Sequence, residues 1–178
     1  MTITIRQEHP NDYIETENVV KKAFDQAEMS DGNEHQLVEK IRKCEAFVPE
    51  LSLIAVDNEP NTIVGHVILS KIKIKDEEEE CDSLALAPVS VMPDYQKQGI
   101  GKSLCRQVIV QAKELGFNSV VVLGDPGYYS KFNFEKASNY NIRAPFEVPD
   151  EAFMVLELKD DALKNVSGVV EYSQPFYE

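Results

Sequence analysis

LALAPVSVMPDYQKQGIGKS, residues 84–103, is the stretch on which the reading of this chain turns. It opens as an apolar strand, Leu84 to Val91, and breaks at Met92-Pro93-Asp94. A glycine-spaced loop follows, Gln96-Lys97-Gln98-Gly99-Ile100-Gly101, and then an amphipathic helix with Leu104, Val108, Ala112 and Leu115 at i, i+4, i+8 and i+11. Strand, glycine loop and helix N-terminus in that order make an anion site. The first helical N–H groups lack partners within the helix, the dipole places positive potential there, and glycine lets a phosphate reach the backbone.

The charges near the loop sharpen that reading. From Gln96 to Lys113 there are four cations, Lys97, Lys102, Arg106 and Lys113, and no Asp or Glu, in a chain of net charge −13. Lys97 and Lys102 sit where a helix N-terminus disfavours positive charge by roughly 0.3–1 kcal/mol each. A bound polyanion offsets that cost; the plainer alternative is an ordinary helix with solvated lysines.

Spacing discriminates among the ligands. A dinucleotide fold needs Gly-x-Gly-x-x-Gly directly after its first strand, with an acid about 20 positions on. Asp125 stands at a suitable distance, but Leu104 occupies the third glycine position and Val91 lies eight residues before Gly99. No Gly-Lys-Ser/Thr closes a Walker loop. What remains is Gln-x-x-Gly-x-Gly after a strand ending Val89-Ser90-Val91. This resembles the acetyl-CoA loop of the GNAT superfamily of N-acetyltransferases.

Composition bounds the rest. A length of 178 residues suits one domain with one good core, and 43% hydrophobic with 28% charged residues is ordinary globular composition. With 31 acids against 18 bases, the chain offers no broad basic surface for nucleic acid. No apolar run approaches the ~18–20 residues of a membrane span, and MTITIRQEHP is no signal peptide, so a cytoplasmic protein is expected. Cys44, Cys81 and Cys105 are odd in number and lack CxxC spacing, which indicates neither a disulfide framework nor a metal site.

Read in order, Thr2 to Arg6 alternates as a short strand. Asp12 followed by Glu15 has the form of a capping box, opening a helix with Ile14, Val19, Val20, Ala23, Phe24 and Ala27 on its apolar face. A second helix, Glu34 to Cys44, buries Leu37, Val38, Ile41 and Cys44, with Glu34, Glu39, Lys40 and Arg42 flanking that stripe. Strands follow at Leu51–Val56, Thr62–Lys75 and Ser83–Val91, with Asp76 to Glu80 as a solvated hairpin tip. Gly65 marks a bulge or a close backbone approach, and Pro88 implies interrupted pairing. Gly116 suits a helix C-cap, and Asn118–Leu123 reads as a buried parallel strand. Short helical turns over Tyr128–Phe132, an irregular region from Phe134 to Pro149, a strand at Ala152–Leu158 and a weakly patterned tail complete the chain. The order predicts an α+β sheet, mostly antiparallel with one parallel β-α-β crossover.

The same order is that of the GNAT family, and Tyr129-Ser130-Lys131-Phe132-Asn133-Phe134 resembles the family's Tyr-x-x-hydrophobic-Gly-Phe segment, with Asn133 in place of glycine. Asn tolerates the left-handed conformation, so the departure is mild. Within the superfamily the chain looks most like a bacterial group of predicted N-acetyltransferases of unassigned substrate. The resemblance implies a three-layer fold with a splayed strand pair, a single domain over residues 1–158, and an extension over 159–178 packed on it. It implies acetyl-CoA as cosubstrate, its pantetheine arm against Val89, Ser90 and Val91. The pyrophosphate would lie on the loop and first helical turn formed by Gln96, Lys97, Gln98, Gly99, Ile100, Gly101, Lys102 and Ser103. Tyr129 matches the family's general acid; Tyr128, next to it, is the alternative hydroxyl, and a packed aromatic is the plain reading of either.

The base is not legible. Glu34 lies in the region that forms the acceptor wall in this family and Asp82 starts the splayed strand, yet each reads as readily as a solvated carboxylate. His35 and His66 read as structural or exposed, and no metal constellation is present. Three functions remain: an acetyl-CoA-dependent N-acetyltransferase acting on a small-molecule or peptide amine, a CoA-binding sensor of the same fold, and a nucleotide-dependent enzyme. A monomer or homodimer is expected, with neither nucleic acid nor membrane as partner.

Overall fold

The computed structural model describes residues 2–25 and 30–178; Ala27, expected on the first helix's apolar face, lies outside them. In chain order the elements are β1 (Ile3–Gln7), α1 (Tyr13–Phe24), α2 (Glu34–Arg42), β2 (Phe47–Asp57), β3 (Thr62–Lys75), β4 (Glu80–Val91) and α3 (Ile100–Glu114). There follow β5 (Ser119–Leu123), α4 (Pro126–Tyr129), β6 (Glu135–Lys136), β7 (Ile142–Arg143), β8 (Phe153–Glu157) and β9 (Gly168–Glu171). Two compact units divide them, Met1–Leu69 with Ala87–Gln111 and Ser70–Leu86 with Ala112–Glu178. Among the described residues no helix is long and apolar enough to cross a membrane.

In the first unit β1 runs antiparallel to β2, from Ile3↔Asp57 to Gln7↔Leu53, and the strand order continues through β3 and β4. β2 begins at Phe47, four residues before the expected Leu51, because exposed Pro49 and Glu50 hide its start from an apolar pattern. Helix α1 buries Thr16, Val19 and Val20, whereas Ile14 is 79% exposed and does not join the apolar face. Val19 packs with Ile54, Val56 and Ile63.

The expected capping box at Asp12 and Glu15 is not what forms. Asp12 accepts from the His9 N–H at 2.9 Å and from Arg6, which closes the 3-10 turn Pro10–Asp12 ahead of the helix. Glu15 is taken instead by a tertiary bond from the Ile63 N–H at 2.7 Å.

Arg42, expected to flank the apolar stripe of α2, has a buried side chain. Its side chain is 4% exposed and donates to Glu8 Oε2 at 2.6 Å and to Glu17 Oε2 at 2.8 Å, with Cζ 3.9 Å from the Tyr13 ring centroid. Ser52 Oγ donates to Glu8 Oε1 at 2.8 Å and lies 2.9 Å from His66 Nε2. Since the Ser52 proton goes to the carboxylate, His66 Nε2–H donates to Ser52 and Nδ1 is left bare. Burial pushes the His66 pKa down from 6.5 to about 4, against the pull of Glu8, so the ring is neutral near pH 7.

In the second unit the hairpin of β3 and β4 turns at Asp76, whose Oδ1 accepts from the N–H groups of Glu78 and Glu79 at 2.8 and 2.7 Å. Those bonds hold the Asp76 carboxyl below the usual carboxylate range. β5 lies parallel to β4 through Leu84↔Val120 and Ala85↔Val121, and antiparallel to β8. Past Ala85, β4 runs on to Val91 with no ladder to β5 among the described residues, and the Ala87–Pro88 peptide is cis. Leu115, expected on the buried face of the motif helix, falls beyond its last residue and is 40% exposed.

The tail contributes a strand that the sequence did not announce. β9 pairs antiparallel with β3 through Ile74↔Val170 and parallel with β7 through Ile142↔Gly168. Leu163 and Val170 share one core with Ile72, Ile74, Val121, Phe153 and Val155.

Two outcomes are expected. Between pH 6.5 and about 4 the unfolded chain protonates His66 while the native state does not, so stability falls as pH drops through that window. The effect is on the order of 3 kcal/mol at most. His66→Gln removes it, so urea midpoints of variant and parent should converge on acidification; a constant gap would refute the assignment. At Gly65 an added Cβ would stand 3.0 Å from Leu104 Cδ1, 3.2 Å from Ser90 O and 3.3 Å from Ile100 Cγ2. Gly65→Val is therefore expected to cost about 1–3 kcal/mol in urea unfolding. An unchanged midpoint would mean that no tight approach exists there.

Candidate active site

The loop between β4 and α3 is built from the strand end outward. The Met92 N–H donates to Val64 O at 2.8 Å, which ties the end of β4 to β3. A 3-10 turn, Pro93–Tyr95, then carries the Tyr95 hydroxyl to Asp57 Oδ2 at 2.7 Å. Asp57 is itself buried and accepts from the Glu59 N–H through its other oxygen. The carboxylate stabilises the protonated phenol and raises the Tyr95 pKa. Neither residue stood out in the sequence; a Tyr just before a Gln-x-x-Gly loop was the available signal.

The loop folds its own side chains back. Gln96 Nε2 donates to Val91 O at 3.0 Å and Gln98 Nε2 to Asp94 O at 3.3 Å, while the residues from Gln96 to Gly99 stay exposed. Lys97 and Gly99 take positive φ, 64° and 85°. Gly99 thus meets a conformational demand, and Lys97 accepts one that disfavours a side chain. The Ser103 N–H bonds to Gly99 O at 3.0 Å, and the N–H groups of Ile100 and Gly101 precede it at the start of α3. No acid lies in that turn. Backbone donors, a dipole and nearby lysines at a helix start whose first turn holds no acid form a donor set that fits a polyanion such as a pyrophosphate.

Behind the loop, Ile100 and Leu104 are buried and reach the backbone at Gly65. The expected alternative of a bulge at Gly65 gives way to the close approach. Val89 and Val91 are half-buried and alternate with Ser90, whose buried Oγ has no hydrogen-bond partner among the described residues.

Tyr129 belongs to the second unit. Asp125 caps α4, accepting from the Gly127 N–H at 2.9 Å, with Pro126 at the first helical position. Tyr129 is 8% exposed, edge-on to Tyr128 at 4.9 Å and to Phe134 at 5.8 Å. Its ring lies over Gly124, where a Cβ would come within 2.6 Å of Cε2. Gly124 is thus required by the tyrosine, a dependence invisible from spacing. Asn133 takes φ 73°, the left-handed position for which the substitution of glycine by Asn is suited.

The carboxylates differ in their surroundings. Glu34 is half-buried and receives the Ser30 hydroxyl at 2.6 and 2.7 Å on its two oxygens, so it closes the turn before α2. Asp82 is 73% exposed and pairs with Lys73 on the sheet surface. His35 is half-buried, with Nδ1 unpartnered, and His66 is fully buried in the network with Glu8. Among the described residues no group of His, Cys, Asp and Glu is arranged to hold a metal.

Known proteins share this architecture. Residues 18–134 match the Acetyltransferase (GNAT) family. The chain is 34% identical over 172 residues to an uncharacterized N-acetyltransferase, YhbS, of Escherichia coli K12, covering 97% of each chain. The crystal structure of the Escherichia coli YhbS protein in complex with CoA superposes with a TM-score of 0.88 at 31% identity, covering 99% of this chain and 92% of that one. A GNAT family acetyltransferase from Brucella melitensis, solved with acetyl-CoA, gives 0.80 at 30% identity and 98% coverage of both. This chain belongs to the GNAT family of acetyltransferases.

Proposed function

We propose that the protein is an acetyl-CoA-dependent N-acetyltransferase that moves an acetyl group to a small-molecule or peptide amine by direct attack. The observation that carries the reading is the loop Gln96–Gly101: an exposed glycine turn leading into the N-terminus of α3, no acid in the first helical turn, and Gln96 and Gln98 folded back onto the backbone of Val91 and Asp94. Relatives solved with CoA and acetyl-CoA support it.

Acetyl-CoA supplies an activated thioester carbonyl. The stretch Lys97, Gln98, Gly99, Ile100, Gly101 and Lys102, with Gln96 setting the loop, receives the pyrophosphate on backbone N–H groups, and Ser103, whose N–H is held by Gly99 O, offers its hydroxyl. At net charge −13 the lysines must attract the anion locally against a repulsive global field. Val89, Ser90 and Val91 offer backbone to the pantetheine amides, since among the described residues the β4–β5 ladder has no pair past Ala85. An N–H on that strand stabilises the developing oxyanion. As the C–N bond forms and the C–S bond breaks, Tyr129 gives its proton to the departing thiolate. Glu34 takes the amine proton, in competition with the Ser30 hydroxyl that now engages it.

Tyr129→Phe keeps the ring that covers Gly124 and removes one proton. Turnover should fall by about 10²–10⁴-fold with the acetyl-CoA Kd little changed. Tyr128→Phe is the control: loss there and not at Tyr129 shifts the acid by one residue. Loss at neither means that the departing thiolate takes its proton from water; a parent chain that binds the cofactor but releases no CoA with any amine would instead be a CoA-binding sensor. Removing the Tyr95–Asp57 bond by Tyr95→Phe should loosen the loop and raise the acetyl-CoA Kd about three- to tenfold. An unchanged Kd by calorimetry would show that Asp57 does not position the loop.

A further inference from the structure

Within the second unit, the segment between β7 and β8 walls a cavity of about 620 Å³ that the acetyl-transfer reading leaves unused. That is a volume in the range of small-ligand sites. Ile142, Phe146 and Phe153 supply its apolar lining, and Arg143, Glu147 and Asp150 its charges. Asp150 is engaged by Lys136 at 3.7 Å. No ion pair joins Arg143 to Glu147 among the described residues, although both line one cavity of a strongly acidic chain.

The wall is held firmly. Arg143 is set by the pairing of β7 with β9, Arg143↔Val169. Phe146 is 48% exposed and lies parallel to Tyr172 at 6.0 Å and 10°. Tyr172 in turn packs on Phe176 at 5.0 Å, and its N–H donates to the Tyr177 hydroxyl at 3.1 Å. The C-terminal segment thus supports the face of Phe146 away from solvent.

A guanidinium, a separate carboxylate and an accessible phenyl ring around one space match a ligand bearing both charges and an apolar body. Arg143 suits a carboxylate, which its planar fork can hold through two bonds. Glu147 suits an ammonium, and Phe146, with Val148 and Pro149 in the same lining, suits an aromatic or aliphatic side chain. We propose that this cavity binds a free α-amino acid with an apolar side chain, recognised as the zwitterion.

The test uses the full chain and calorimetry with L-phenylalanine, phenethylamine, which lacks the carboxylate, and hydrocinnamate, which lacks the ammonium. Saturable binding of L-phenylalanine, at least about tenfold tighter than either fragment, is expected. Arg143→Gln should reduce that preference over phenethylamine, and Glu147→Gln the preference over hydrocinnamate. Both side chains are exposed, so an unchanged Tm for each variant checks the fold. Absence of L-phenylalanine binding, equal binding of all three, or variants that leave the preferences intact would overturn the proposal. Binding is read without acetyl-CoA and so stands apart from the transferase reading. If acetyl-CoA is then added, N-acetylphenylalanine would make the bound amino acid an acceptor, and its absence an effector; either result keeps the site.

Discussion

The approach of α3 to the backbone at Gly65 is the constraint on which the anion loop depends. Ile100 and Leu104 stand where a side chain on β3 would otherwise be, and Ser90 O crowds the same point. A helix seated that closely has its first turn fixed to about the precision of the core behind it. The N–H groups ahead of its first intrahelical bond are therefore aimed before any ligand arrives, and binding need not order them. The Tyr95–Asp57 bond and the Gln96–Val91 bond restrain the loop from its other end.

A second kind of restraint holds α2 to the sheet of the first unit. Arg42, Glu8, Ser52 and His66 form one buried chain in which the guanidinium and carboxylate leave water together. Desolvation makes such a pair a weak source of net stability, but it admits few alternative arrangements. Glu17 and the Tyr13 ring, both on α1, also meet Arg42, so one side chain ties α2 to α1 directly and to Ser52 of β2 through Glu8. The neutral His66 is a product of this enclosure: burial outweighs the attraction of Glu8.

In the second unit, positions are set by what backbone leaves open. Tyr129 rests on Gly124, and β9 can lie along β3 because Gly168, at φ 128°, carries no Cβ to meet Lys75 O. The tail is thereby part of the core and of the aromatic stack under Phe146. The same region carries Arg143 and Glu147, which form no ion pair with each other among the described residues and both line the cavity.

Periodicity and punctuation determined most of the architecture. Alternation marked the β3–β4 hairpin, the apolar run 118–123 marked β5, and Gln-x-x-Gly-x-Gly after a strand marked the start of α3 and the family. These are local signals, because strand pleat, helix turn and glycine conformation are set by neighbours in the chain. Contacts between distant segments left no such trace. That Arg42 is buried, Tyr95 meets Asp57 and residues 168–171 form a strand follows from partners up to about a hundred residues away. A charged side chain looks the same in sequence whether water or Glu8 solvates it; only the tertiary structure decides, because only there does desolvation acquire a compensating partner.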